Sequence, residues 1–486
     1  MSNDVRNLEP SSLWNHFADL NAVPRPSKKE ERVIQFMVDF GKRLNLETLV
    51  DEVGNVIMRK PATPGMEDRQ TVVMQSHLDM VHQKNNDTVF DFDTQGIEMF
   101  VDGDWVKAKG TTLGADNGLG VAAIMAVLSS TDIPHPPLEA LFTIDEETGM
   151  TGAMGLKGGL LNASIMLNLD TEDDHELTIG CAGGIDVTAT GSYREMEVPE
   201  NYVGYTLTVK GLSGGHSGMD IHKGLGNANK LLNRILHHAC AQIELHIAEI
   251  DGGGLRNAIP REAKALLALA PEHIQKLEQA VADISCHIIS ELNLTDPFAK
   301  ILVEPATRPA KAMEASFQKQ WMRAIYACHN GIYRMSPGVE NLVQTSNNLS
   351  RMLAKDGSFS IQCLTRSSVD SEKLDLARSI QSALECTGAE VTFSGDYPGW
   401  APKTDAAITG VMAKLYREIF DSEPYVNVCH AGLECGILGA NYPDMEMISF
   451  GPNIRGAHSP DEKVQISSVQ KFWNFLLETL RQTPAA

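Results

Sequence analysis

Apolar and polar positions follow two different rhythms along this chain, and the rhythm changes near residue 184. Before that point, helical and strand patterns take turns. Arg32-Val-Ile-Gln-Phe-Met-Val-Asp-Phe40 spaces its apolar residues like an amphipathic helix, and Ser27-Lys-Lys-Glu30 ahead of it has the Ser-x-x-Glu spacing of a capping box. Residues 55–59, 71–77, 138–144 and 164–169 are short apolar runs that read as strands, and 118–129 reads as a helix of small residues. Such alternation predicts a largely parallel sheet wrapped by helices.

After Gly183-Gly184 the pattern becomes strict alternation, as in Val187-Thr-Ala-Thr-Gly and Tyr205-Thr-Leu-Thr-Val-Lys, which fits a half-exposed antiparallel sheet. Helices are predicted over 227–244 and 272–292 and a strand over 263–269, with further strands and helices to about Phe393. Pro398-Gly-Trp-Ala-Pro402 marks a joint, beyond which 404–420 reads as helix, 445–450 as strand and 467–480 as a closing helix. The predicted fold is therefore α/β: a mostly parallel sheet domain flanked by helices, made of 1–186 and 397–486, interrupted by a large α+β lid domain over 187–396.

Length supports more than one core, because 486 residues exceed what a single core usually reaches. No apolar stretch approaches the roughly 18 residues of a membrane span, and the N-terminus lacks the apolar block of a signal peptide, so the expected setting is the cytoplasm with no membrane partner. The net charge of −22, without a basic patch, excludes a nucleic-acid partner. Eight cysteines without CxxC spacing are expected to be reduced thiols. Cys429 and His430 are adjacent, but neighbours on a strand face opposite ways, which argues against a cysteine nucleophile.

The chemistry sits in isolated acids and histidines at predicted strand ends or in glycine-rich loops after them: His77 with Asp79, Asp116, the pair Glu146-Glu147, and Asp170. Open α/β sheets place their active sites there. So many carboxylates around one imidazole would repel one another unless cations sat among them, so the arrangement predicts a hydrolase built round a metal pair. Asp79 is placed to orient the His77 ring, Asp116 to lie between two ions, and one of the two glutamates to take a proton while the other ligates. His458 is a second candidate imidazole from the far end of the chain.

Ser76-His-Leu-Asp79, Gly114-Ala-Asp116-Asn-Gly, Asp145-Glu-Glu-Thr-Gly149, Asn168-Leu-Asp170 and Gly456-Ala-His458-Ser-Pro together resemble the five metal-site motifs of the aminoacylase, carnosinase and glutamate carboxypeptidase family of dinuclear zinc exopeptidases. They occur in the family order over essentially the whole chain. Ile179-Gly-Cys-Ala-Gly-Gly-Ile-Asp186 and Gly214-Gly-His216-Ser-Gly narrow the resemblance to its dipeptidases.

The resemblance implies two Zn²⁺ per chain, replaceable by Co²⁺ or Mn²⁺, with Asp116 bridging, His77 and Asp170 on one ion and Glu147 and His458 on the other. It implies Glu146 as general base, Asp79 as orienter, His216 as a donor to the oxyanion and Arg366 as the anchor of a substrate carboxylate. Dipeptides, Xaa-His included, are the implied substrates, and a homodimer through the lid domain the implied assembly.

Duller readings compete. Arg366 follows an apolar strand and would serve equally as an edge-strand salt bridge, and histidines 237, 238 and 246 read as surface positions on a polar helical stretch. A related amidohydrolase acting on N-acyl amino acids is the nearest alternative activity. Gly118-Leu-Gly-Val-Ala-Ala123 followed by Glu139 has the spacing of a dinucleotide fingerprint and would suggest an NAD-dependent oxidoreductase. Asp116 beside the pyrophosphate counts against that.

Overall fold

The strand Val72–His77 is buried along its whole length, its polar end Gln75-Ser-His77 included, as a strand covered on both faces is. In the computed structural model, which describes residues 3–85 and 87–486, contacts divide the chain into two compact units. One holds the chain up to Cys181 together with Trp400–Val428 and Leu433–Ala486; the other holds Ala182–Gly399 and Cys429–Gly432.

The first unit is built on an eight-stranded sheet in the order Glu47–Val50, Val56–Lys60, Leu138–Thr143, Val72–His77, Ile165–Asn168, Glu446–Ser449, Glu176–Cys181, Tyr425–Cys429. Four central strands, from Leu138–Thr143 to Glu446–Ser449, run parallel, and antiparallel pairs flank them. The C-terminal ends of the parallel strands therefore share one edge. Helix Ala115–Ser129 is apolar all round and almost wholly buried. At Gly120 an added Cβ would stand 2.7 Å from the Leu169 carbonyl oxygen, so only glycine lets this helix approach the chain so closely. Asp116 and Asn117 have non-helical backbone angles, and the regular helix starts at Gly118, as the pattern predicted. A smaller four-stranded sheet pairs Ile454–Arg455 with Lys463–Gln465, and the loop between them carries His458.

The second unit carries a nine-stranded sheet whose pairs are antiparallel. Alternate residues such as Val187, Leu207, Leu267 and Ile361 join Leu232, Leu277, Trp321 and Leu376 of four helices in one core. Helix Ala228–Cys240 starts at Asn227, whose side chain accepts hydrogen bonds from the Asn229 and Lys230 amides.

Two local expectations fail. Helix Glu31–Arg43 has no side-chain cap from Ser27; that hydroxyl donates to Asp79 instead, at 2.8 Å, while Glu30 accepts from the Lys28 and Asp145 amides. His246 lies on the strand His246–Gly253, not on a helix, and is buried against Tyr202. Among the described residues, no helix is long and apolar enough to cross a membrane.

Candidate metal centre

Each acidic or histidine residue singled out in the first unit sits where the parallel strands end. His77 closes its strand, Glu146 and Glu147 turn away after Leu138–Thr143, and Asp170 follows Ile165–Asn168. Asp116 comes from the start of helix Ala115–Ser129, and His458 from its loop with a positive φ of 66°.

The His77 ring is 1% exposed, and its Nδ1 lies 3.1 Å from the Asp79 carbonyl oxygen and 3.4 Å from Asp79 Oδ1. Acceptors on that side hold the ring proton on Nδ1, so in a neutral ring Nε2 is a lone pair. This Nε2 faces Asp116 Oδ1 at 3.2 Å, Asp170 Oδ1 at 3.6 Å and Glu146 Oε2 at 4.0 Å. Asp79 also accepts the amides of Glu146 and Glu147, at 3.0 and 3.2 Å, and so holds the acidic turn as well as the ring.

Asp116 has its two oxygens on two different histidines: Oδ1 on His77 and Oδ2 on His458 Nε2, also at 3.2 Å. His458 Nε2 is in turn 3.0 Å from Glu147 Oε2. Lone pairs this close repel unless a proton or a cation lies between them. Where protons fill that place, the hydrogen bonds to Asp116 and Glu147 push His458 up to about 11. Burial lowers His77, but the charge of Asp170 and the hydrogen bonds to Asp116 and Asp79 outweigh it and hold the ring well above its usual range. Burial pushes both Glu146 and Asp170 well above the usual carboxyl range.

The donor set fits divalent cations. His77, Asp116 and Asp170 bring ligand atoms within 4.8 Å of one another, and so do Asp116, Glu147 and His458. Asp116 belongs to both groups. Among the described residues, Glu147 Oε1 and Asp170 Oδ1 are buried without a hydrogen-bond partner, which fits ligand atoms for a cation. Two further trios are close-set: His77, Glu146 and Glu147, which belongs to the same cluster, and Glu30, Asp79 and Asp145, which hydrogen bonds already engage, including those from Thr148 and Thr151 to Asp145. The latter trio builds the turn.

Glu434 escaped the sequence reading. Fully buried, it accepts from Gln75 Nε2 and Thr143 Oγ1, both at 2.6 Å, and burial raises its carboxyl to about 7. No motif surrounds it.

Arg366 and His216 lie in the second unit. Strand Ser358–Ser367 is interior, between Val343–Lys355 and Gly183–Ser192, which removes the edge-strand reading of Arg366. The guanidinium is buried, makes no ion pair within 4.0 Å among the described residues, and donates to Tyr397 Oη at 2.9 Å and Ser217 Oγ at 3.4 Å. His216 Nδ1 accepts from the Gly218 and Met219 amides, so the neutral ring carries its proton on Nε2. His430 is buried with Nε2 2.8 Å from Ser346 Oγ; burial, with the charges of Arg366, His216 and His222, pushes it down to about 3. A Cβ on Gly218 would run into the His430 carbonyl oxygen and come 3.2 Å from Arg366 Nε, so this turn passes close against both. Tyr397 was not singled out in sequence, because only strand pairing through Gly184 brings it to Arg366; His430 was read there only as the neighbour of Cys429.

Glu139, the acid of the supposed dinucleotide fingerprint, is buried, pairs with Arg59 at 3.1 Å and accepts the Asn162 and Ala163 amides. It has no oxygen to spare for a ribose.

The chain matches Peptidase family M20/M25/M40 over residues 73–482. It is 42% identical, over 99% of both chains, to the cytosol non-specific dipeptidase of Escherichia coli K12. The crystal structure of the aminoacylhistidine dipeptidase from Vibrio alginolyticus superposes with a TM-score of 0.93 at 43% identity, covering 100% of each chain. A tripeptidase from Staphylococcus aureus shares the fold at a TM-score of 0.56 and 15% identity, over 98% of each chain.

Proposed function

This chain belongs to peptidase family M20/M25/M40, and from that premise we infer that it is a metallodipeptidase, hydrolysing the peptide bond of unblocked dipeptides, Xaa-His among them. The observation that carries the reading is Asp116, whose two carboxylate oxygens face two different imidazoles at 3.2 Å. Full-length relatives named as dipeptidases support the substrate class over N-acyl amino acids and over nicotinamide chemistry.

His77 and Asp170 would hold one divalent ion, Glu147 and His458 the other, and Asp116 both; zinc is the ion proposed, with cobalt or manganese as substitutes. Such a pair would supply a low-pKa water and polarise the scissile carbonyl. Glu146, half-buried and raised in pKa, takes the proton from the attacking water and passes it to the leaving amine. Asp79 fixes the His77 ring and the backbone of the glutamate turn.

In the second unit, proposed as a lid over about 187–396 between catalytic segments 1–186 and 397–486, His216 donates from Nε2 to the oxyanion. The compact division at Cys181 and Trp400 supports this layout. Arg366 grips the dipeptide's C-terminal carboxylate; its burial without a carboxylate partner supports that role. A cytoplasmic setting and a homodimer through the second unit complete the proposal.

The test is hydrolysis of a panel of dipeptides, tripeptides and N-acyl amino acids by protein stripped of metal and then reloaded with zinc. Cleavage of free dipeptides that vanishes on stripping and returns on reloading is the expected result. Preferential cleavage of N-acyl amino acids, or activity indifferent to metal, would overturn it.

A further inference from the structure

The three segments that bring His77, Asp116 and His458 together are far apart in sequence, and two buried charged side chains join them. Glu462, 2% exposed, stands four residues beyond His458. Its Oε2 accepts the Leu113 and Gly114 amides at 2.7 and 2.9 Å, and its Oε1 accepts the Ala115 and Asp116 amides at 2.8 and 3.1 Å. Both oxygens are thus spent on four successive N–H groups of the loop that presents Asp116. On the other side of the same loop, Arg25 is 1% exposed and donates through Nη2 to the Gly114 carbonyl oxygen at 2.6 Å. Its Nη1 reaches the carbonyl oxygens of Leu78 and Asp79 at 3.0 and 3.1 Å, directly after His77. Gly114 is held by its N–H from one side and by its C=O from the other. Its φ of 70° and the 2.5 Å that would separate an added Cβ from Arg25 Nη2 leave room for glycine alone.

The geometry points to Glu462, braced by Arg25 across the Gly114 peptide, as a positioning residue that fixes the Asp116 carboxylate between His77 and His458 and so couples the affinities of the two ion sites. It touches no substrate and supplies no ligand atom. Its effect comes from a chemical requirement that only a carboxylate meets: four converging N–H donors need two acceptor oxygens, and an amide of the same shape turns one of them into a donor facing donors. Because Glu462 shares its loop with His458 through the turn in which the Glu462 amide donates to the Ser459 carbonyl at 3.0 Å, loosening it disturbs Asp116 and its His458 partner at once.

This inference rests on the two-ion reading, and its test separates the two. Full-length Glu462→Gln and Glu462→Asp proteins, loaded with zinc, are titrated with a competing chelator while retained metal is counted, and the melting temperature of each metal-free form is recorded. Loss of outer hydrogen bonds to a metal site costs about 10- to 100-fold in affinity, so the Gln protein is expected to give up both ions at chelator concentrations lower by that factor. The Asp protein, which keeps two acceptor oxygens, should fall between it and the parent. Turnover of Glu462→Gln should return with excess zinc while KM for the dipeptide stays that of the parent. A Gln protein that melts lower but holds both ions as tightly as the parent would make Glu462 a purely structural residue and overturn the inference. Asp116→Ala, measured beside them, tests the reading underneath: if it too keeps both ions, the two-ion site itself is wrong, whatever Glu462 does.

Discussion

The two units hold sites of opposite charge, and they build them in opposite ways. In the first, carboxylates and imidazoles gather at the ends of parallel strands, each from a different segment, leaving buried acid oxygens unpartnered. In the second, a buried guanidinium sits at an interior strand position among neutral partners, Tyr397 and Ser217, with His430 kept uncharged nearby. A carboxylate-rich cluster and a buried guanidinium suit ligands of opposite charge. The difference supports the ligands proposed for them: divalent metal in one, a substrate carboxylate in the other.

The largest expected effect separates proton transfer from ligation within the acidic cluster. Glu146→Gln should retain both metals yet lower turnover by about 10² to 10⁴, the range for a lost general base. Metal analysis with steady-state kinetics checks it; a metal-free or nearly fully active protein would exchange the roles of Glu146 and Glu147. In the second unit, His216→Ala should cut turnover by about 10² to 10³ with metal content unchanged, as for a removed oxyanion donor. Unchanged turnover would take His216 out of the reaction.

A smaller effect probes the anchor. Arg366→Lys keeps the charge but loses the two-pronged grip, so free dipeptides should lose about 1.5 to 3 kcal/mol in kcat/KM while amidated ones change little. Equal losses for both substrates would make Arg366 structural. An effect on stability, and none on the reaction, concerns His430, held near 3 in the folded protein against an ordinary 6.5. Between those values the unfolded chain binds the extra proton, so stability is lost as pH falls below 6.5, at no more than about 1.4 kcal/mol per pH unit. Denaturant titrations from pH 7 to 4 should show a shallower decline for His430→Asn; parallel declines would mean that His430 is not held neutral.

The contrast between the units also explains what could be read without coordinates. His77, Asp116, Glu147, Asp170 and His458 were visible because each stands in a short glycine-rich or strand-end segment where an apolar run stops. Their meeting follows from strand order, which alternation of helix and strand already suggests. Ser27 was misread because Ser-x-x-Glu spacing looks the same whether the hydroxyl caps its own helix or reaches a carboxylate 52 positions away. The edge-strand reading of Arg366 failed because strand neighbours are not written in local pattern. Glu434 and Glu462 were invisible for a related reason: the partners of Glu462 are backbone amides about 350 positions distant, and those of Glu434 are equally remote in sequence.

Most of the account hangs on Asp116 serving two ions, and counting metal in three variants addresses that directly. Asp116→Ala should lose or weaken both ions, whereas His77→Ala and His458→Ala should each mainly lose one, since of the residues proposed for the two ions only Asp116 serves both. Selective loss of a single ion from Asp116→Ala, with the other bound as in the parent, would contradict the bridge and with it the paired-metal centre.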